Sequence, residues 1–303
     1  MFLAEPQRTP YDLHFQFLGF DVRVSPFFWL AAALLGWQST NGLASIYSNE
    51  GLSSFIQQLP EEARPAGVKE FLAHQSPVFQ QRYASNPGQG MLLLIWISAV
   101  FVSILIHELG HALAFRRCGI GSYVVLYHFG GLAVPNSSSS FMGTSRRLEP
   151  RQQIFISAAG PGMQLVLAGV IILLVKASGY AVPTYVPYIS DWLHFSEGEK
   201  IGSMPLYAVI DSLLWPSIFW ALLNLLPIYP LDGGQISREL FTLYSGGEGV
   251  RNSLMLSIFA AGGVAVYGFA NEQTFLGLMF GMLAFSSFQI LQAFSGRGGY
   301  GPQ

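Results

Sequence analysis

The sequence predicts an all-α polytopic membrane protein with about six transmembrane helices and one short membrane-associated β-hairpin near residues 121–135. Hydrophobic residues make up 51% and charged residues 11% of its 303 positions, with a mean hydropathy of +0.41, whereas a soluble domain carries about a quarter charged residues. Apolar stretches of about 20 residues, the length that crosses ~30 Å of hydrocarbon, recur along nearly the whole chain. One stretch is instead β-branched and aromatic, with Gly130-Gly131 inside it.

The elements follow in order. The stretch from Met1 to about Asp21 lacks a basic run followed by an apolar core and a small-residue cleavage site, so no cleavable signal peptide is expected. Candidate spans lie near 24–46, 91–115, 153–176, 204–226, 252–270 and 275–295. The first contains the polar residues Gln38 to Asn41, and the last two are Gly-rich and joined by Asn271-Glu272-Gln273. The polar stretch of about 47–90, with Pro60-Glu61-Glu62, reads as an exposed outer loop with one or two surface helices. From Gly121 to Pro135 a hairpin is expected, and such backbone sits at membrane depth only where protein or a wet cavity satisfies it. The Asn136-Ser137-Ser138-Ser139-Ser140 run reads as a flexible loop.

Net charge of -2 and a pI near 6.3 give no basic field, and no Lys/Arg cluster interleaves with aromatics, so nucleic acid is not an expected partner. The single cysteine, Cys118, has no internal disulfide partner and reads as a packing thiol. With the first helix placed inside to outside, ten basic residues, among them Arg116, Arg117, Arg146, Arg147 and Arg151, fall on the cytosolic side. Arg64, Lys69, Arg82, Lys176 and Lys200 fall on the other. The positive-inside rule then puts both termini in the cytosol.

The chemistry concentrates near the cytosolic end of the second apolar run, at His107-Glu108-Leu109-Gly110-His111. Residues four apart on a helix lie about 40° apart around the axis, so His107 and His111 can face one metal ion. Glu108 flanks them at about 100°, where a carboxylate can reach an activated water. The bland reading is a helix with two hydrogen-bonded histidines and an incidental glutamate, but three ionisable groups in an apolar helix are costly to leave unused.

Catalytic zinc needs a third protein ligand and an open position. The candidate is Asp232, in Asn224-Leu225-Leu226-Pro227-Ile228-Tyr229-Pro230-Leu231-Asp232-Gly233-Gly234-Gln235. Pro227 and Pro230 interrupt the fourth span, and Gly233-Gly234 leave the backbone unobstructed. The competing reading is that Asp232 caps a helix beginning at Gly233, with Gln235 completing a capping box, and a carboxylate with two oxygens can do both.

The His-Glu-x-x-His helix followed by an Asn-x-x-Pro-x-x-Pro-Leu-Asp-Gly segment resembles the site-2 protease family of intramembrane zinc metalloproteases. The resemblance covers about 90–240. It implies that His107, His111 and Asp232 bind Zn2+, that Glu108 is the general base, and that Asn224 orients substrate or stabilises the oxyanion. For Asn224 an interhelical hydrogen bond is the competing role. Gly130 and Gly131 resemble the family's glycine-bearing extended segment. The Ser157-Ala158-Ala159-Gly160-Pro161-Gly162-Met163-Gln164 stretch resembles its Gly-Pro helix motif, with Gln164 where asparagine is usual. His128 adjoins Gly130-Gly131 and reads as structural or surface rather than as a ligand.

What this implies is one membrane-embedded peptidase domain over 1–303: a catalytic core of about 90–240, the outer loop, and two extra C-terminal helices over about 252–295. Its partners would be the lipid bilayer, a membrane-protein substrate with a transmembrane helix, and an accessory or regulatory protein. A substrate must unwind before hydrolysis, and an edge at Val124 and Val125, next to Gly130 and Gly131, is expected to receive it as an added strand. The setting would be a bacterial-type cytoplasmic membrane with the active site toward the cytosol. A catalytically silent zinc-binding scaffold would have no need of Glu108. A metal transporter usually shows paired helix breaks where this chain shows one, and a rhomboid-like Gly-x-Ser-Gly is absent.

Overall fold

The computed structural model describes residues 5–128, 130–136, 148–184, 186 and 189–297. The chain opens with a hairpin, β1 (Leu13–Phe17) and β2 (Phe20–Val24). Leu18 and Gly19 turn it with φ of 51° and 77°, the two left-handed residues that a tight hairpin turn requires. The sequence reading assigned no strand here, although Phe15, Phe17, Phe20, Val22 and Val24 alternate with polar residues on either side of that turn.

Helix α1 (Pro26–Ile46) follows, then an outer layer of α2 (Asn49–Gln58), a 3-10 turn, α3 (Val68–Ala73) and α4 (Pro77–Ala84). The stretch expected to be an outer loop with one or two surface helices thus carries three. Ser48 and Ser76 cap α2 and α4 by accepting from the backbone N–H of Gly51 and Phe79, which is what these residues do at helix starts. Helix α5 (Gln89–Arg117) is 29 residues long, roughly 43 Å. The predicted hairpin follows it as β3 (Ser122–Tyr127) and β4 (Gly130–Pro135). Beyond lie α6 (Pro150–Ala177) and the short α7 (Ile189–Trp192). Next comes α8 (Met204–Trp215), which runs through a π-helical turn at Pro216–Trp220 into α9 (Ala221–Asn224). The chain ends in α10 (Asp232–Ser245), α11 (Gly249–Ala270) and α12 (Thr274–Arg297).

Five of these segments are long and apolar enough to cross a membrane: Gln89–Arg117, Pro150–Ala177, Met204–Asn224, Gly249–Ala270 and Thr274–Phe294. The chain is an integral membrane protein. The expected count of six becomes five because Gln38 to Asn41 dilute α1, which packs alongside α5, with Trp96 Nε1 donating to the Ala32 carbonyl at 3.0 Å.

The four strands form one sheet in the order β1-β2-β3-β4, with β2 and β3 parallel and the other pairs antiparallel. One face of it, through Val22, Val24, Val124 and Leu126, packs on Phe28 of α1 and on Val100 and Ile104 of α5. This corrects the expectation placed on Val124 and Val125. They lie on β3, an interior strand paired on both sides, and both are 0% exposed, so no substrate strand can add there. Among the described residues the edge strand on that side of the sheet is β4.

Candidate metal centre

Helices α5, α6 and α10 bring the sequence-predicted groups to one point. His107 Nε2 and His111 Nε2 lie 3.0 Å apart. Asp232 Oδ2 is 3.2 Å from the first and its Oδ1 is 3.4 Å from the second. Both imidazoles are buried, and the Asp232 side chain keeps 12% of its surface open. Four ligands around zinc at 2.0–2.1 Å would stand roughly 3.3–3.4 Å apart, so this triangle has the dimensions of one face of such a tetrahedron.

Hydrogen bonding at the far side of each ring makes the fit specific. His111 Nδ1 is 2.7 Å from the Ile156 carbonyl, which only accepts, so Nδ1 carries the proton and Nε2 the lone pair. His107 Nδ1 is 2.8 Å from Gln164 Oε1, with the same consequence. Two imidazole lone pairs and a carboxylate therefore converge in a buried space. Without a cation between them they repel, and with one they are its ligands.

The backbone permits this because α5 and α6 cross at small residues. A Cβ on Gly110 would meet the Ala159 carbonyl, and one on Gly160 would land on His111 Nε2. Gly160, singled out with Pro161 and Gln164 as a helix-packing motif, thus leaves the space that the imidazoles fill. Pro161 lies inside α6 and is buried.

Asp232 arrives on a tight turn. It is the first residue of α10 rather than its cap: Leu231 holds the cap position, with no side-chain cap bond. The capping alternative is therefore not realised, and the carboxylate is turned to the imidazoles. Glycine is required at 233 and 234, where a Cβ would meet the Leu225 carbonyl and the Ile228 backbone. The two C-terminal helices, unexplained by the motifs, hold this turn. Ser257 Oγ on α11 accepts from Tyr229 N at 2.8 Å, and Ser287 Oγ on α12 lies 2.9 Å from Ser257 Oγ. Gln153 Nε2 on α6 donates to Gln235 Oε1 at 3.1 Å, closing the other side.

Glu108 Oε1 lies 4.0 Å from His107 Nε2, beside the triangle rather than in it. The backbone of Ala133 on β4 hydrogen-bonds its carboxylate, and a Cβ on Gly131 would strike that side chain. All four residues open into a cavity of about 190 Å³ that Gly130, Gly131, Trp220 and Asn224 also line. His128 stacks edge-on with Phe27, ring centroids 6.4 Å apart. Among the described residues, His107, His111 and Asp232 are the group able to hold a metal.

Comparison with known proteins identifies the family of the chain. The model of peptidase family M50 matches residues 95–263. A candidate zinc metalloprotease of Synechocystis sp. is 31% identical over 159 residues, 52% of this chain and 34% of that protein. Another, from Mycobacterium tuberculosis, is 30% identical over 141 residues, 46% of this chain and 29% of that protein. The matched segment thus spans about a third of the length of these relatives. A site-2 protease from Methanocaldococcus jannaschii superposes with a TM-score of 0.43 at 16% identity, over 93% of this chain and 95% of the other. With more than half of its length matched by that family model, the chain belongs to peptidase family M50, the site-2 protease family whose paired motifs it carries.

Proposed function

We propose that this chain is an intramembrane zinc metallopeptidase that hydrolyses peptide bonds within or near the transmembrane segments of membrane-protein substrates. The observation that carries the reading is a buried three-ligand triangle with the Glu108 carboxylate beside it, next to a strand edge that no other described strand pairs. His107, His111 and Asp232 would hold the ion. When bound, zinc supplies Lewis-acid activation of the attacking water and of the scissile carbonyl.

The chain's own residues do the rest. Glu108, held by the Ala133 backbone, takes the proton of the attacking water and returns one to the leaving amine. Asn224 lines the cavity as an amide able to donate to the oxyanion. The unwound substrate lies along β4. The bond from Asn136 N to the Gly121 carbonyl, 2.8 Å long, sets the phase of the β3–β4 ladder. In an antiparallel pair alternate residues turn their backbone groups outward, so those of Gly131 and Ala133 face the free edge, where an extended segment can add.

We infer a single peptidase domain in a bacterial-type cytoplasmic membrane, its site and termini on the cytosolic side, from the asymmetry of basic residues. Cysteines introduced at positions 64 and 146 would then label from opposite faces, and equal labelling from outside would refute the orientation.

The activity is tested by co-expressing the full chain with single-span substrates and comparing it with Glu108→Gln. Cleavage is expected to fall on the order of 10²- to 10⁴-fold with zinc content unchanged. Undiminished cleavage by the variant would remove Glu108 from the mechanism.

A further inference from the structure

Behind the triangle a line of buried polar side chains runs away from the cavity, and the proposed mechanism makes no use of it. His107 Nδ1 lies 2.8 Å from Gln164 Oε1, and Gln164 Nε2 donates to Ser103 Oγ at 3.0 Å. Ser103 Oγ lies 3.0 Å from Ser217 Oγ. Gln164, Ser103 and Ser217 are each 0% exposed, so bulk water does not compete for these bonds.

We propose that Ser217 and Ser103 act as a positioning relay. They fix which end of the Gln164 amide faces His107, and thereby which imidazole nitrogen is left free for a metal. The inference rests on the metal-site reading above and deepens it.

A glutamine amide has two unlike ends, an accepting oxygen and a donating NH2. With the oxygen toward His107, Nδ1 carries the proton and Nε2 points its lone pair into the triangle. With the amide reversed, its NH2 donates to a bare Nδ1, and the proton moves to Nε2, where it blocks the metal. His111 faces no such choice, because the Ile156 carbonyl can only accept.

Ser103 alone cannot decide the orientation of Gln164, since a hydroxyl donates as readily as it accepts. It selects only when its own hydrogen is committed elsewhere, leaving lone pairs for the Gln164 NH2. The relay assigns that hydrogen to Ser217 Oγ, one of the two directions that the 3.0 Å contact allows.

The fold delivers each member for a local reason. Ser103 stands one helical turn before His107 on α5, and Gln164 one turn after Gly160 on α6. Ser217 is the second residue of the π turn, directly after Pro216, whose ring takes one N–H out of the ladder. Single π turns of this kind are frequent at functional sites.

The test uses the detergent-solubilised full chain and measures zinc affinity by chelator competition, with the visible absorption of the cobalt-substituted protein as a report on the ligand set. Ser103→Ala and Ser217→Ala are each made in the native background and in Gln164→Glu. A carboxylate has two accepting oxygens and no donor, so in that second background there is no orientation left to select. In the native background each serine variant should weaken zinc about tenfold or more and alter the cobalt spectrum. In the Gln164→Glu background the same change should cost less than about twofold.

Equal losses in both backgrounds would mean that the serines only pack, and no loss in the native background would mean that the orientation is fixed without them. Either result overturns the relay while leaving the metal site intact. A native chain that holds no zinc sinks the metal reading and the relay with it. Should Ser103→Ala fail to fold, Ser103→Cys, isosteric and a weak hydrogen-bonding group, carries the same expectation.

Discussion

The two walls of the cavity are built on opposite principles. On the α5–α6 wall the groups behind the triangle are committed: His111 to a carbonyl, His107 to Gln164, and Gln164 to Ser103. The helices there approach closely enough that Gly110 and Gly160 admit no side chain. On the β4 wall the backbone groups of Gly131 and Ala133 point away from the sheet, and the Ala133 backbone is engaged by Glu108 alone among the described residues. A free strand edge is ordinarily a liability that folds cover or blunt. Holding a cation requires ligands that cannot move, and accepting an extended chain requires backbone groups that no neighbouring strand holds. The position of Glu108 between the walls lets one carboxylate serve both.

A methyl group added to either wall separates these roles. Gly160→Ala puts a Cβ against the imidazole nitrogens of His111 and His107, so zinc and cleavage should be lost together, by on the order of 10²-fold. Gly131→Ala puts its Cβ against the Glu108 carboxylate, so cleavage should fall on the order of 10²-fold while zinc stays. Metal content of the purified proteins beside cleavage of a single-span substrate reads both. Loss of zinc from Gly131→Ala would mean that the walls are one structural unit, and retention of zinc by Gly160→Ala would mean that the helix crossing does not set the ligand geometry.

The α5–α6 wall was far more legible in the sequence than the sheet. His107 and His111 share a face through helical periodicity alone, and the proline and glycine spacing around Asp232 marks a break that presents a carboxylate. The hairpin at 121–135 was visible because β-branched and aromatic residues flank Gly130-Gly131. Pairing between distant segments was not visible. β2 lies about a hundred residues before β3, and without that parallel partner β3 looked like an edge, which is why Val124 and Val125 were assigned to substrate and Ala133 was not. Ser103 was within reach, four residues before His107 on the same helical face. Ser217 was not, because a π turn shifts the helical phase without a signature in composition, and the clamp of Ser257 and Ser287 on Tyr229 depends on how α11 and α12 fold back. The α1 segment shows the opposite limit, since its length was read correctly as helical while the polar run Gln38 to Asn41 lowers its apolarity below that of the other five.

The smallest expected effect tests the edge itself. Proline removes one backbone N–H and is tolerated on edge strands when that N–H faces outward. At Leu132, paired with Val125, the N–H points into the sheet, so Leu132→Pro should weaken the β3–β4 ladder and lower the stability of the whole protein. At Ala133 the N–H points outward, so Ala133→Pro should leave thermal stability and zinc content close to native and reduce cleavage roughly tenfold, the worth of about one hydrogen bond made with substrate or with Glu108. The two origins separate kinetically. Loss of a bond to substrate raises KM, whereas release of Glu108 lowers kcat at unchanged KM. Full activity in Ala133→Pro, with Leu132→Pro unstable as expected, would mean that substrate reaches the metal by some route other than the open side of β4.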